Sequence, residues 1–332
     1  MNAKTLRVLI IIVVGVMLAS GCREIETTTK IFPDGSCERT VAVNEDSTEL
    51  VNCFFPIPRD SSWMFTQENS DEYIAMKKFK KVSDLNEELL PPNDTTLQVI
   101  IQVKLDKRFR WFHTLFTYRE TYKDYNPFRR VPISDYLSEE DLALFYINDD
   151  TLDIENKTDA WSTETIFQEL YQALLQGAKD IDDPELTPEQ IQSKKESLFN
   201  NIMDLDYEER EVDKVLQACE ESLKNPSVWK LKPKMTKVTD ELKRKQDLMF
   251  ETHFTDFTNS VIMPGLIIDT NAETIEGNKV TWDIAGRHFL WRDYEMWVES
   301  RVVNVWAIGV SVLVFLFMAV LMVMASLWKR RG

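Results

Sequence analysis

The run VVNVWAIGVSVLVFLFMAVLMVMASLW at residues 302–328 decides what kind of chain this is. Between Arg301 and Lys329 it carries no charge, and only Asn304, Ser311 and Ser326 interrupt its apolar side chains. A bilayer-crossing helix needs about 20 apolar residues, so the run is long enough with some to spare. Helices in soluble cores rarely continue this far without a charge. Trp306 and Trp328 stand near its ends, where amphipathic rings favour the headgroup level, and Lys329, Arg330 and Arg331 bias the C-terminus toward the cytoplasm. The reading is a transmembrane helix over 302–328 and a basic cytoplasmic tail over 329–332, with the bulk of the chain on the other side of the membrane.

The start of the chain agrees with its end. Lys4 and Arg7 precede an apolar stretch from Val8 to Leu18, followed by Ala19-Ser20-Gly21-Cys22. This is a secretory signal layout whose apolar part is too short to span comfortably. Leu18-Ala19-Ser20-Gly21-Cys22 resembles the bacterial lipobox, with Ala19 where leucine is commoner. The resemblance implies that residues 1–21 are a lipoprotein signal peptide and that Cys22 becomes the lipidated, palmitate-bearing first residue. A lipid at one end and a helix at the other would share one bilayer. In a double-membrane bacterium that is the inner membrane, because the outer one mainly holds barrels. The body is then periplasmic.

Five of the 39 basic residues, Lys4, Arg7, Lys329, Arg330 and Arg331, lie in the two ends, and none of the 55 acidic ones does, so the body is more acidic than the overall net charge of −16. Such a surface repels nucleic acid and anionic headgroups. Lys77-Lys78-Phe79-Lys80-Lys81 is a local exception, read as an edge strand blunted by lysines, with a headgroup or anion contact as the alternative. An extracytoplasmic setting permits a disulfide, and Cys37 and Cys53 are the nearer pair. Cys219 falls in line with Val212, Val215, Leu216 and Leu223 at helical spacing, as a buried small hydrophobe would.

Two β-branched runs, Ile25 to Phe32 and Cys37 to Val43, flank Asp34-Gly35, which supplies the positive φ of a hairpin turn. Short strands are expected around Trp63 to Gln67 and Tyr73 to Phe79. A second hairpin is expected from Thr95 to Leu105 and Phe109 to Tyr122, turning at Asp106-Lys107-Arg108. It holds the aromatic cluster Phe109, Trp111, Phe112, Phe116, Tyr118, Tyr122 and Tyr125, read as sheet core with a stacking platform as the alternative. Helix signals follow. Ser138-Glu139-Glu140-Asp141 is a capping pattern, and Phe167, Leu170, Tyr171, Leu174 and Leu175 form a stripe that ends at Gly177 in the manner of a stop. Thr187-Pro188-Glu189-Gln190 is a capping box, and Val212 to Leu223 gives another apolar face. After Pro264-Gly265 strands return at Leu266 to Thr270, Lys279 to Ile284 and Tyr294 to Val298, with Glu276-Gly277-Asn278 as a turn. The last strand runs almost directly into the apolar helix, which should hold the sheet close to the bilayer.

Pro264-Gly265, Thr270-Asn271-Ala272, Glu276-Gly277-Asn278-Lys279-Val280-Thr281-Trp282, Asp293-Tyr294-Glu295-Met296 and Ser300-Arg301 before a terminal helix resemble a group of bacterial envelope lipoproteins. These have a β-rich extracytoplasmic domain and one C-terminal span. The resemblance covers residues 264–332 and the lipobox, and it implies location rather than chemistry: no catalytic or binding residue transfers with it.

Nor does the chain spell out a reaction. His113, His253 and His288 are widely separated, and none has a second ligand at metal spacing. The nine glycines never cluster into a phosphate loop, and no Gly-x-Ser-x-Gly elbow occurs. Asp180, Asp182 and Asp183 are read as a solvated loop, because an EF-hand frame would put Leu186 and Ile191 at ligand positions. Sequence therefore nominates no catalytic, cofactor-binding or metal residue; its site residues are Cys22 for lipidation and Cys37 with Cys53 for a disulfide.

The expected fold class is α+β: an antiparallel β-rich body, residues 22–133 and 259–301, with a helical insertion over 134–258 and one C-terminal transmembrane helix. The expected function is that of a noncatalytic membrane-anchored lipoprotein whose extracytoplasmic domain binds a partner protein or an envelope glycan or lipid at the membrane surface. The first alternative is a membrane-tethered hydrolase of envelope polymers using paired carboxylates. The second is an assembly factor for an inner-membrane complex, docking through Phe167 to Leu175 or Val212 to Leu223. Nucleic acid is not an expected partner.

Overall fold

The computed structural model of the chain describes residues 24–44, 55–58, 61–66, 72–90, 98–147, 151–181, 183–205 and 211–329. The signal segment, Cys22, Cys53 and the tail from Arg330 lie outside them. The fold is α+β, its sheets mostly antiparallel, and it carries one C-terminal helix apolar enough to span a membrane. The chain divides into two compact units, one comprising residues 1–123, 255–286 and 293–332, the other 124–254 and 287–292.

The first unit is built on two sheets. Strands β1 (Glu24–Ile31) and β2 (Cys37–Asn44) form the expected hairpin, with Gly35 at φ +97° in its turn. They join β3 (Met64–Thr66) and β4 (Glu72–Phe79) on one side. A short helix, α1 (Val82–Glu88), follows β4 without having been foreshadowed in the sequence. On the other side β1 runs parallel to β7 (Asp256–Ile262), which pairs with β10 (Lys279–Ala285), and β10 in turn with β9 (Thr274–Glu276). The second sheet is β5 (Ile101–Phe109), β6 (His113–Tyr122), β11 (Tyr294–Val303) and β8 (Leu266–Thr270), in that order. Val280, Trp282 and Ile284 bury one face of β10, the inward alternation that their spacing predicts.

The lysines of β4 are less free than an edge strand would leave them. Lys77 bonds Ser62 and Glu88, and Lys78 pairs with Glu38.

The hairpin β5–β6 differs from expectation. Asp106, Lys107 and Arg108 stay inside β5, paired with Thr117, Phe116 and Leu115, and the chain turns at Arg110-Trp111-Phe112. Tertiary bonds explain the shift. Asn304, buried where β11 ends, donates from Nδ2 to the carbonyls of Arg110 (2.7 Å) and Trp111 (3.3 Å). Its Oδ1 accepts from Thr114 Oγ1, and its backbone N–H donates to the Phe112 carbonyl. One side chain thus ties the hairpin tip to the start of α8 (Val305–Lys329). Outside that joint α8 is almost wholly exposed, which would be untenable for so apolar a helix in water and suits it to lipid.

The aromatic cluster also divides. Phe116, Tyr118 and Tyr122 are sheet core, whereas Phe109, Trp111 and Phe112 are exposed at the hairpin end.

The second unit is helical. It contains α2 (Glu139–Tyr146), α3 (Leu152–Ile181), α4 (Pro188–Ser193), α5 (Lys195–Met203), α6 (Val212–Leu223) and α7 (Lys232–Phe254). Both predicted capping boxes form, Ser138 with Asp141 and Thr187 with Gln190. Helix α3 passes straight through Gly177, so that residue is no stop. Its missing Cβ makes room for Leu231, whose Cδ2 would stand 2.9 Å from one. Cys219 is buried in α6, and burial pushes its thiol up to about 12. Asp180 and Asp183 form ion pairs with Lys234 and Lys230, so this loop is pinned rather than merely solvated.

Candidate functional site

The sequence offered one expectation based on paired carboxylates and one of partner or ligand binding, and the arrangement of side chains separates them. In the first unit, Arg39 of β2 and Glu120 of β6 meet between the sheets, both side chains fully buried. The guanidinium is bidentate, Nη1 to Oε2 at 3.0 Å and Nη2 to Oε1 at 3.1 Å, and Nη1 also donates to Thr29 Oγ1. Tyr118 and Tyr122, two residues to either side of Glu120 on the same strand face, donate their hydroxyls to the same carboxylate. Burial alone would raise the Glu120 pKa; the Arg39 charge, helped by the Tyr118 hydrogen bond, outweighs it and holds the pKa below the ordinary value. Burial and the neighbouring carboxylate push both tyrosines up. Among the donors of Arg39 only Nε lacks an acceptor. The cluster is closed to solvent and its charges are matched, which makes it a structural clamp between sheets.

The open site lies in the helical unit. The last turns of α7 supply Met249, Phe250, His253 and Phe254; the first half of α3 supplies Trp161, Thr165 and Ile166; Phe145, Phe128, Leu290 and Trp291 complete the walls of a cleft of about 660 Å³. That lies within the usual range of small-molecule sites, roughly 300–1,000 Å³. Its aromatics interlock. Phe145 and Trp291 have ring centroids 4.6 Å apart, Trp161 and Trp291 5.5 Å, and Phe145 and His253 5.4 Å. Trp161 is fixed by donating Nε1–H to the Val131 carbonyl at 2.9 Å. At the mouth Phe250 and Phe254 pack together at 4.6 Å yet remain 64% and 62% exposed.

The polar groups of the cleft are few. Thr158, Asp159, Ser162, Gln246 and Asp247 line its rim. Thr165 Oγ1 and Trp291 Nε1 are buried on its wall without a hydrogen-bond partner. Burial, seconded by the charge of Arg287, lowers the His253 pKa to about 4, so the imidazole is neutral at physiological pH. An aromatic wall, a neutral histidine and a polar rim suit a ligand with a long or flat apolar portion and a polar end left in water.

A second depression of the unit, lined by Arg130, Glu169, Lys234, Glu241 and Lys245, is polar, and its charges are taken up by the pairs Arg130–Glu169, Lys234–Asp180 and Lys245–Glu241. Among the described residues, no three metal-ligating side chains gather.

Of the residues nominated from sequence, Cys37 is buried in β2, where burial raises its thiol pKa to about 11; its proposed partner Cys53 and the lipidation residue Cys22 lie outside the described residues. Sequence reasoning missed both the clamp and the cleft. The clamp left a signal: Arg39 and Glu120 occupy inward positions of strands whose other inward residues, Thr114 apart, are apolar or aromatic. The cleft left less, because its walls come from segments far apart in the chain.

No protein-family model and no curated protein matches the chain. Among solved structures it is similar to the folded domain of the LppM protein of Mycobacterium tuberculosis, determined by NMR, with 10% identity over 85% of this chain and 91% of that one and a TM-score of 0.29. So low a score bears on neither the fold nor the function of this chain.

Proposed function

We propose that the protein is a noncatalytic, doubly anchored envelope lipoprotein whose body binds an apolar envelope ligand in the aromatic cleft of its helical unit. In this reading the signal is removed before Cys22, Cys22 is acylated, α8 crosses the inner membrane, and the body faces away from the cytoplasm with the basic tail inside. A bridge between Cys37 and Cys53 belongs to the same proposal. The observation that carries the binding role is the open cleft with exposed Phe250 and Phe254 at its mouth.

The two alternatives receive less support. A hydrolase using paired acids needs one carboxyl kept protonated, its pKa raised. Among the described residues, the carboxylates moved from their ordinary values, Asp34, Glu120, Asp141, Asp180, Asp183, Glu189 and Glu241, all move down. An assembly factor docking through Phe167 to Leu175 or Val212 to Leu223 needs those stripes exposed, and Phe167, Leu170, Leu174, Val215, Leu216 and Cys219 are instead buried in the helical core.

Photolabelling tests the proposal. Cells carrying the full-length chain are fed a diazirine fatty acid, irradiated, and the labelled peptides mapped. Label is expected on residues 246–254 as well as on α8, and Phe250→Asp should remove the first while sparing the second. Label confined to α8 in the unsubstituted chain would overturn the binding role. Mass mapping of the N-terminal peptide without a diacylated Cys22 would overturn the anchoring.

A further inference from the structure

We propose that the tip of the β5–β6 hairpin is a second membrane-contacting element that enters the bilayer beside α8 and gathers anionic lipid headgroups. This rests on α8 crossing a membrane and not on the ligand of the cleft. The apolar span Val305–Ser326, 22 residues, is about 33 Å long, close to the roughly 30 Å of a hydrocarbon core, so Val305 lies near the hydrocarbon edge. The hairpin does not stop there. Trp111 donates its Nε1–H to Ser311 Oγ at 2.8 Å, six residues into the helix and about 9 Å along its axis. Phe109 stacks on Trp306 at 6.1 Å, and Trp111 meets the same ring edge-on at 5.6 Å. With Asn304 holding the carbonyls of Arg110, Trp111 and Phe112, the tip is fixed to the helix and must go where the helix goes. Trp111 and Phe112, 48% and 53% exposed, then enter the bilayer with the tip, Trp111 with its Nε1–H already satisfied by Ser311.

The charges near the tip are layered. Arg108 and Arg301 both stand opposite Leu115, on one rung and one face of the sheet, and Arg110 opens the turn. All three arginines are exposed, and among the described residues none has a carboxylate within ion-pair distance. Two residues further from the helix the next same-face rung is acidic, with Asp106, Glu299 and Asp269. Strand rise puts the arginine rung about 13 Å from Val305, from which the long side chains extend back to the headgroup layer, while the acids stand beyond it. An overall acidic protein therefore presents on its lipid-facing rim three exposed arginines that no described carboxylate pairs, the chemistry of an anionic headgroup site.

The full chain carrying a diazirine phenylalanine analogue at position 112, in nanodiscs of equal phosphatidylglycerol and phosphatidylcholine, provides the test. Irradiation should yield lipid adducts at position 112, enriched in phosphatidylglycerol, with each of Arg108→Gln, Arg110→Gln and Arg301→Gln reducing the preference by up to about fivefold. The same analogue at Gln102, toward the other end of β5, should yield none. Absence of adducts at position 112 would overturn the insertion. Adducts without a phosphatidylglycerol preference, or with one that survives the triple arginine substitution, would overturn the headgroup site.

Discussion

The two units bury their interiors in opposite ways. Between the sheets of the first, a charged pair, two tyrosines and a threonine are sealed from water with nearly every polar atom matched. In the second, the core of Phe167, Leu170, Leu174, Leu198, Val215 and Leu216 is conventional, but at one end aromatic rings line a space they do not fill. A matched polar clamp admits no guest, since any displacement strands a charge. An apolar cleft with a wet rim exchanges water for a ligand at little cost. The contrast leaves the first unit holding its two sheets together and the second with an open apolar cleft, the place where the proposed ligand would bind.

The largest expected effect breaks the clamp. Glu120→Gln leaves Arg39 buried without its counter-charge and should cost about 3–5 kcal/mol, read as lost hydrogen-exchange protection in β1, β2 and β6. The joint substitution Arg39→Met with Glu120→Leu should recover most of it, and failure to do so would mean the pair contributes more than mutual neutralisation.

Acid should separate the units next. His253 has a folded pKa of about 4 against an ordinary 6.5, so between those values the unfolded chain takes up the proton and the folded one does not. Stability from this group falls as pH drops from 6.5 to 4, by up to about 3 kcal/mol. Glu120, its pKa lowered, contributes stability above the ordinary carboxylate range and loses it only as pH falls through the folded value. Exchange measured in nanodiscs should therefore show α2 and α7 loosening before β6, and His253→Gln should flatten the first response. Simultaneous loosening of both units would contradict this order.

Gly265 offers a smaller effect. It sits at φ +80°, and a Cβ there would lie 2.3 Å from the Arg301 carbonyl, so Gly265→Ala should cost about 1–3 kcal/mol, localised to β8 and β11. Smallest of all, Phe250→Asp at the exposed cleft mouth should change stability by no more than about 0.5 kcal/mol while abolishing ligand binding.

Much of this fold was legible where local chemistry decides it. The Asp34-Gly35 turn, the two capping boxes, the alternation of Val280, Trp282 and Ile284 and the charge-free run to Trp328 each carry their own instruction. Residues that answer to distant partners were not legible. Asp106-Lys107-Arg108 looks like a turn until Asn304 is found holding the chain three residues later. Gly177 looks like a stop until Leu231 occupies its missing side chain. Asn304 and Ser311 look like blemishes in an apolar run, and both bond the hairpin tip. The cleft is the extreme case: Phe145, Trp161, Phe250 and Trp291 come from four separate segments, and each alone reads as an ordinary core aromatic.

The central claim is that the cleft holds a molecule from the envelope. Native mass spectrometry of the full chain released from nanodiscs made of its own cell membranes tests it most directly. The account requires a discrete noncovalent adduct on the unsubstituted chain that is missing from Phe250→Asp. Identical masses for the two proteins, apart from the substitution itself, would contradict it.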